Sequence, residues 1–143
     1  MIRRLLLLWH RAKTRGKMDR VFSRGEDPYG YARSPYETAR LEAMEAALGE
    51  RRYARAVEVG CAEGFFTQKL VGRAERVEAV DISPVALERA RRRLREQPGV
   101  SFHEADVRAW APEGAGDLVV LGDVLYYLDK PMVGAEFEAV FPK

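Results

Sequence analysis

Ala56-Val57-Glu58-Val59-Gly60-Cys61-Ala62-Glu63-Gly64-Phe65 is the stretch on which the fold turns. A short, mostly apolar run ending at Gly60 reads as a strand, and Phe65 to Val71 then reads as a helix. Two glycines four residues apart let the connecting loop bend sharply and leave its backbone open to a ligand with no Cβ in the way. The same glycines would equally serve any tight strand-to-helix turn.

Downstream, the pattern repeats. Arg76 to Asp81 reads as a second strand, and Ser83-Pro84 supplies a cap and an N1 proline for a helix running through Arg95. Pro98-Gly99 ends that helix, and Val100 to Ala105 forms a third strand. Asp117 to Gly122 is the fourth, its apolar run predicting burial on both faces. Upstream, Ser34-Pro35-Tyr36-Glu37 opens a helix with a capping box, Leu41, Met44 and Leu48 recur at helical spacing, and Gly49 closes it. Strands alternating with helices predict an α/β fold, a Rossmann-like open parallel sheet with flanking helices and right-handed crossovers.

In such sheets ligands bind beyond the carboxyl ends of the strands, where the strand order reverses. Each strand tip here carries an acid or a glycine: Glu58 to Gly64, Asp81, Asp106 with Val107, and Leu121-Gly122-Asp123. Asp81 suits the two hydroxyls of a ribose or a turn before the next helix; Asp106 suits an adenine amino group or a cap for the segment after it. The first loop lacks both the Gly-x-Gly-x-x-Gly spacing of a dinucleotide site and a Gly-Lys-Ser/Thr ending. Glu58 and Glu63 would repel a diphosphate and favour a cationic ligand.

The 143 residues suit one domain, and a single cysteine, Cys61, excludes an internal disulfide and fits a reducing, cytoplasmic setting. Residues 1–24 hold eight cations and one acid, Asp19, which predicts a basic, flexible or partly helical leader. Residues 25–143 are net acidic and carry no nucleic-acid-binding face. Leu5 to Trp9 is too short to span a membrane. His103 has no second histidine near it to suggest a triad or metal site.

These motifs, in this order, resemble the class I S-adenosylmethionine-dependent methyltransferases. Asp27-Pro28-Tyr29-Gly30-Tyr31, Ser34-Pro35-Tyr36-Glu37, Gly60-Cys61-Ala62 and Val124-Leu125-Tyr126-Tyr127-Leu128 are more narrowly similar to the nodulation S family. The resemblance implies S-adenosyl-L-methionine as cofactor. Its methionine part would lie near Gly60, Cys61 and Gly64, with Glu58 orienting the loop. Asp81 would meet the ribose, Ile82 the adenine face, and Asp106 with Val107 the adenine edge. Leu121 and Gly122 would line the sulfonium, while Tyr31, Ser34 and Tyr36 close over the cofactor. The implied acceptor is a small molecule, an amino sugar or another small amine. Asp123 is a candidate base or a helix cap, and Tyr126 and Tyr127 are candidate substrate walls or ordinary core and rim aromatics.

Such domains have seven strands, and four are legible here. Residues 25–143 therefore read as a partial methyltransferase domain whose fourth strand is an exposed edge open to a protein partner or to self-association. Two functions remain in view: a methyltransferase whose isolated chain is impaired by truncation, and a non-catalytic module binding S-adenosyl ligands or a partner.

Overall fold

The computed structural model of the chain describes residues 2–124 and 126, with side chains described from Arg11 onward. Tyr127 and the helix expected from Met132 to Val140 lie outside the described residues. In chain order the elements are α1 (Ile2–Ser23), α2 (Pro35–Ala47), β1 (Tyr53–Val59), α3 (Phe65–Val71) and β2 (Ala74–Asp81). They continue with α4 (Pro84–Arg93), β3 (Val100–Glu104), a single 3₁₀ turn (Val107–Ala109) and β4 (Leu118–Leu121).

All described strand pairs are parallel, in the spatial order β3-β2-β1-β4. Val59 lies opposite Val80 on one side and Leu121 on the other, so the tips of β1, β2 and β4 end level. The order reverses between β1 and β4, and that gap is where a Rossmann-like sheet opens a crevice.

One face of the sheet packs Ala56, Val77 and Val120 against Leu41 of α2 and Phe66 and Leu70 of α3, while Ala79 meets Leu87 of α4. Leu70 and Leu87 are fully buried, each contributing about 1.5–3 kcal/mol by leaving water. The opposite face sets Val57, Val59 and Val80 against Val107, Trp110 and Val124. Val119 is 38% exposed, so β4 is not buried on both faces as its apolar run predicts. Among the described residues β4 pairs on one side alone, with β1, and an edge strand has fewer neighbours to cover it.

The structure gives detail at two places that the sequence left open or read differently. Over residues 1–24, read as a flexible or partly helical leader, it has helix α1, and Met18 and Phe22 of that helix are buried against Ala86 of α4. Apolar burial of these two side chains fixes the last turns of a segment whose charge alone suggested looseness. The capping box of α2 is half made. Ser34 Oγ accepts from the Glu37 N–H at 3.4 Å, but the Glu37 carboxylate takes Arg40 Nε at 2.9 Å instead of turning back. The Ser34 N–H that would complete the box is already donated to the Gly30 carbonyl at 2.7 Å, which leaves the carboxylate to the charged donor.

Candidate functional site

The switch point is built on close backbone contact. Gly60 has φ +79°, and a Cβ there would lie 2.3 Å from Val124 Cγ1 and 2.6 Å from the Gly122 carbonyl oxygen. A Cβ on Gly122 would in turn meet the Gly60 carbonyl oxygen at 2.7 Å. The two glycines thus let the chain leaving β1 and the chain leaving β4 pass backbone to backbone. Gly64, with φ +81°, answers a different need: its missing Cβ makes room for Ala90 and Leu94 on α4.

Beyond these tips lies a cavity of about 410 Å³, within the range of small-ligand sites. Of the residues singled out from sequence, Gly60, Asp81, Ile82, Asp106, Val107 and Gly122 line it from the sheet side. Tyr31, before α2, and Tyr36, in its first turn, border it on another side, and Asp123 and Tyr126 from beyond β4. Glu58 and Cys61 lie instead on a smaller recess that shares Gly60, Tyr31 and Asp123. Ser34 caps α2, Gly64 packs on α4, and Leu121 packs under the sheet with Val57 and Val59.

Each acid has a distinct setting. Asp81 Oδ2 accepts from the Ala62 N–H at 2.9 Å and Oδ1 from the Ser83 N–H at 2.9 Å. Burial raises its pKa, against the pull of those backbone donors. Glu58 is 2% exposed and accepts from Thr67 Oγ at 2.5 Å. Burial lifts its pKa from 4.5 to about 7, with the Thr67 hydrogen bond opposing. Asp106 caps the 3₁₀ turn, and its Oδ1 accepts from the Arg108 N–H at 3.0 Å and Arg108 Nε at 2.8 Å. Its Oδ2 takes Arg108 Nη2, completing a forked ion pair. Burial pushes the Asp106 carboxyl up, but the Arg108 hydrogen bonds and charge outweigh it and hold the pKa below the usual range. Asp123 pairs with Arg40 Nη1 at 3.2 Å. Asp106 therefore caps the 3₁₀ turn and lines the cavity at the same time.

Glu63 departs from its sequence reading. It does not line the cavity; its buried carboxylate accepts from the Asp27 N–H at 2.9 Å and from Arg89 Nη1 at 3.0 Å. Arg89 also donates to the Phe22 and Gly25 carbonyls, and Asp27 accepts from the Tyr31 and Ala32 N–H groups. This network clasps the leader segment to the first loop and holds Tyr31 against Phe65, ring centroids 5.3 Å apart.

Arg40, Glu37 and Arg108 also line the cavity; the sequence reading gave Glu37 only a capping role and named neither arginine as a site residue. A usable signal existed for the first two: Tyr36, Glu37 and Arg40 lie within one turn of α2, directly after the aromatic leader. Two non-glycine residues with left-handed backbone, Ala62 and Asp123, line this site, and a third, Asp27, belongs to the clasp beside it. Such strain tends to collect where a ligand is held. The cavity wall carries Glu37, Asp81, Asp106 and Asp123 against Arg40 and Arg108, an excess of acid that suits a cationic ligand. Among the described residues no group of three or more potential metal ligands is present, and no helix is long and apolar enough to cross a membrane.

Comparison with known proteins agrees with this geometry. The family model described as Nodulation protein S (NodS) matches residues 16–139. Nodulation protein S of Rhizobium tropici is 36% identical over 104 residues, covering 72% of this chain and 44% of that protein. The Sinorhizobium fredii (strain NGR234) protein is 36% identical over 105 residues, covering 73% of this chain and 49% of its own length. The chain thus spans about half the length of these curated relatives. The crystal structure of N-methyltransferase NodS from Bradyrhizobium japonicum WM9 in complex with S-adenosyl-L-homocysteine aligns with a TM-score of 0.79 and 26% identity. That alignment covers 90% of this chain and 67% of the other. With four ordered motifs, the parallel sheet and these matches in agreement, the chain belongs to the nodulation protein S (NodS) family.

Proposed function

We propose that this chain binds S-adenosyl-L-methionine in the 410 Å³ cavity and serves methyl transfer to a small amine such as an amino sugar. The observation that carries the reading is the convergence of Asp81, Asp106 and Asp123, from three different strand tips, on one cavity at the switch point. Bound there, the cofactor supplies a methyl group on a sulfonium, which leaves by in-line displacement.

The chain's own part is positioning and charge. Each Asp81 oxygen already accepts one backbone N–H and keeps a lone pair for a ribose hydroxyl. Asp106 accepts from the adenine amino group, with Ile82 and Val107 flanking the base. Arg40 borders both the cavity and the recess beside Gly60, where it offers a cation to the carboxylate of the amino-acid end. Tyr31, in the segment before α2, screens one side of the cavity from water, and Tyr36 of α2 stands exposed at its rim, where it can fold over a bound ligand. Asp123, half-exposed at the mouth, holds or accepts the proton that an attacking amine must lose.

Calorimetric titration of the full chain with S-adenosyl-L-homocysteine tests this. Asp81→Ala is expected to weaken binding by roughly tenfold to a hundredfold, the scale of hydrogen bonds to a charged acceptor. Tighter binding of NAD than of S-adenosyl-L-homocysteine overturns the reading. A second reading is binding without transfer. An assay of methyl transfer to glucosamine oligomers separates the two: binding with no product favours the second.

A further inference from the structure

Asp106 is 6% exposed, carries a negative charge into a cavity of mixed walls, and is held by the forked pair with Arg108, itself 8% exposed in its side chain. An ionised carboxylate accepts at about four lone-pair positions and donates nothing. Three are taken: two on Oδ1, by the backbone N–H and Nε of Arg108, and one on Oδ2, by Arg108 Nη2. One acceptor position is left, on Oδ2, and both side chains border the cavity. Arg11 of α1 adds a second, weaker positive influence on Asp106.

We propose that Arg108 is the positioning residue that makes this subsite selective for a 6-amino purine over a 6-oxo purine. The guanidinium keeps the buried Asp106 ionised and fixes its plane, so the remaining position on Oδ2 can only accept. An exocyclic amino group satisfies it. A carbonyl at the same place sets lone pairs against a carboxylate and is rejected. Without Arg108, a nearly buried carboxylate has lost its main counter-charge and three of its hydrogen bonds have become one, the backbone N–H. Such a group turns or takes up a proton. A protonated carboxyl both donates and accepts, and the distinction between amino and oxo bases disappears. This inference rests on the reading of the cavity as an S-adenosyl nucleoside site.

The test is calorimetric titration of the full chain with S-adenosyl-L-homocysteine and with S-inosyl-L-homocysteine, its 6-oxo counterpart. The unaltered chain should prefer the amino ligand by roughly tenfold to a hundredfold, the range of one hydrogen bond to a charged group. In Arg108→Met the preference should fall to within about threefold, as both partners of the missing pair no longer fix the acceptor. Arg108→Lys keeps a cation but not the fork, and should fall between the two. A preference unchanged in Arg108→Met overturns the inference even if that variant melts earlier, because a purely structural role lowers stability without altering the ratio. If Arg108→Met does not fold, Arg108→Lys decides: a ratio equal to that of the unaltered chain overturns the inference. An unaltered chain that binds neither ligand removes the cofactor reading as well, whereas binding without amino preference removes this inference alone.

Discussion

Glu58 illustrates how a single residue couples the site to stability. Its folded pKa of about 7 lies above the 4.5 of the free side chain, so the folded state binds the extra proton. The contribution is therefore fully present below about pH 4.5 and is lost as pH rises through about 7, a swing of about 3 kcal/mol. Asp81 is raised too and acts in the same sense, while Asp106 is lowered and acts in the opposite sense. Urea unfolding at about pH 5 and about pH 8 should show the decline, and Glu58→Gln should flatten it while keeping an acceptor for Thr67. An equal slope in both proteins would assign the decline to another group. Ala62 offers a second residue-scale test. Its φ of +48° is strained for a side chain with a Cβ, so Ala62→Gly should stabilise the fold by about 0.5–1 kcal/mol after the entropy cost of glycine. A lower melting temperature in that variant would mean that the Ala62 methyl packs more usefully than its backbone is strained.

At the scale of elements, the leader is secured by α4. Arg89 reaches the Phe22 and Gly25 carbonyls and the buried Glu63 carboxylate, and Ser83 both caps α4 and donates to Asp19 of α1 at 2.8 Å. Removing Arg89 leaves Glu63 buried with the Asp27 N–H alone, a loss on the order of 3 kcal/mol. Arg89→Ala should therefore unfold at markedly lower denaturant. In the fraction still folded, S-adenosyl-L-homocysteine should bind more weakly, because Met18, Phe22 and Tyr31 are cavity walls as well as leader residues. Ser83→Ala removes one cap bond and the link to Asp19, at a cost of about 1–2 kcal/mol. Full stability of both variants would show that burial of Met18 and Phe22 alone holds α1 in place.

Over the whole molecule, the crossing of the chains that leave β1 and β4 sets both fold and cavity. Gly60→Ala combines φ +79° with a Cβ 2.3 Å from Val124 and 2.6 Å from the Gly122 carbonyl, and should cost about 3 kcal/mol or more. Retained stability, read by thermal unfolding, would mean that the two exits can part without harm to the sheet. The alternation of strands and helices was legible in the chain because it is written locally, in apolar runs of strand length, in Ser34-Pro35 and Ser83-Pro84 caps, and in breaker residues. The strand-tip acids were legible for the same reason: once a strand ends, its next residue stands on the ligand side of a parallel sheet. The partners of those acids were not. Glu63 faces Asp27 and Arg89 across separations of 36 and 26 residues, and Arg40 reaches Asp123 from a different layer. Sequence by itself thus determined the four strands, the helices α2 to α4, their order along the chain and the acids at the strand ends. Tertiary packing alone decided which carboxylates face the cavity, which are spent on clasping the leader, and which glycine serves a chain crossing, because those outcomes depend on through-space competition for donors and room that no local pattern encodes.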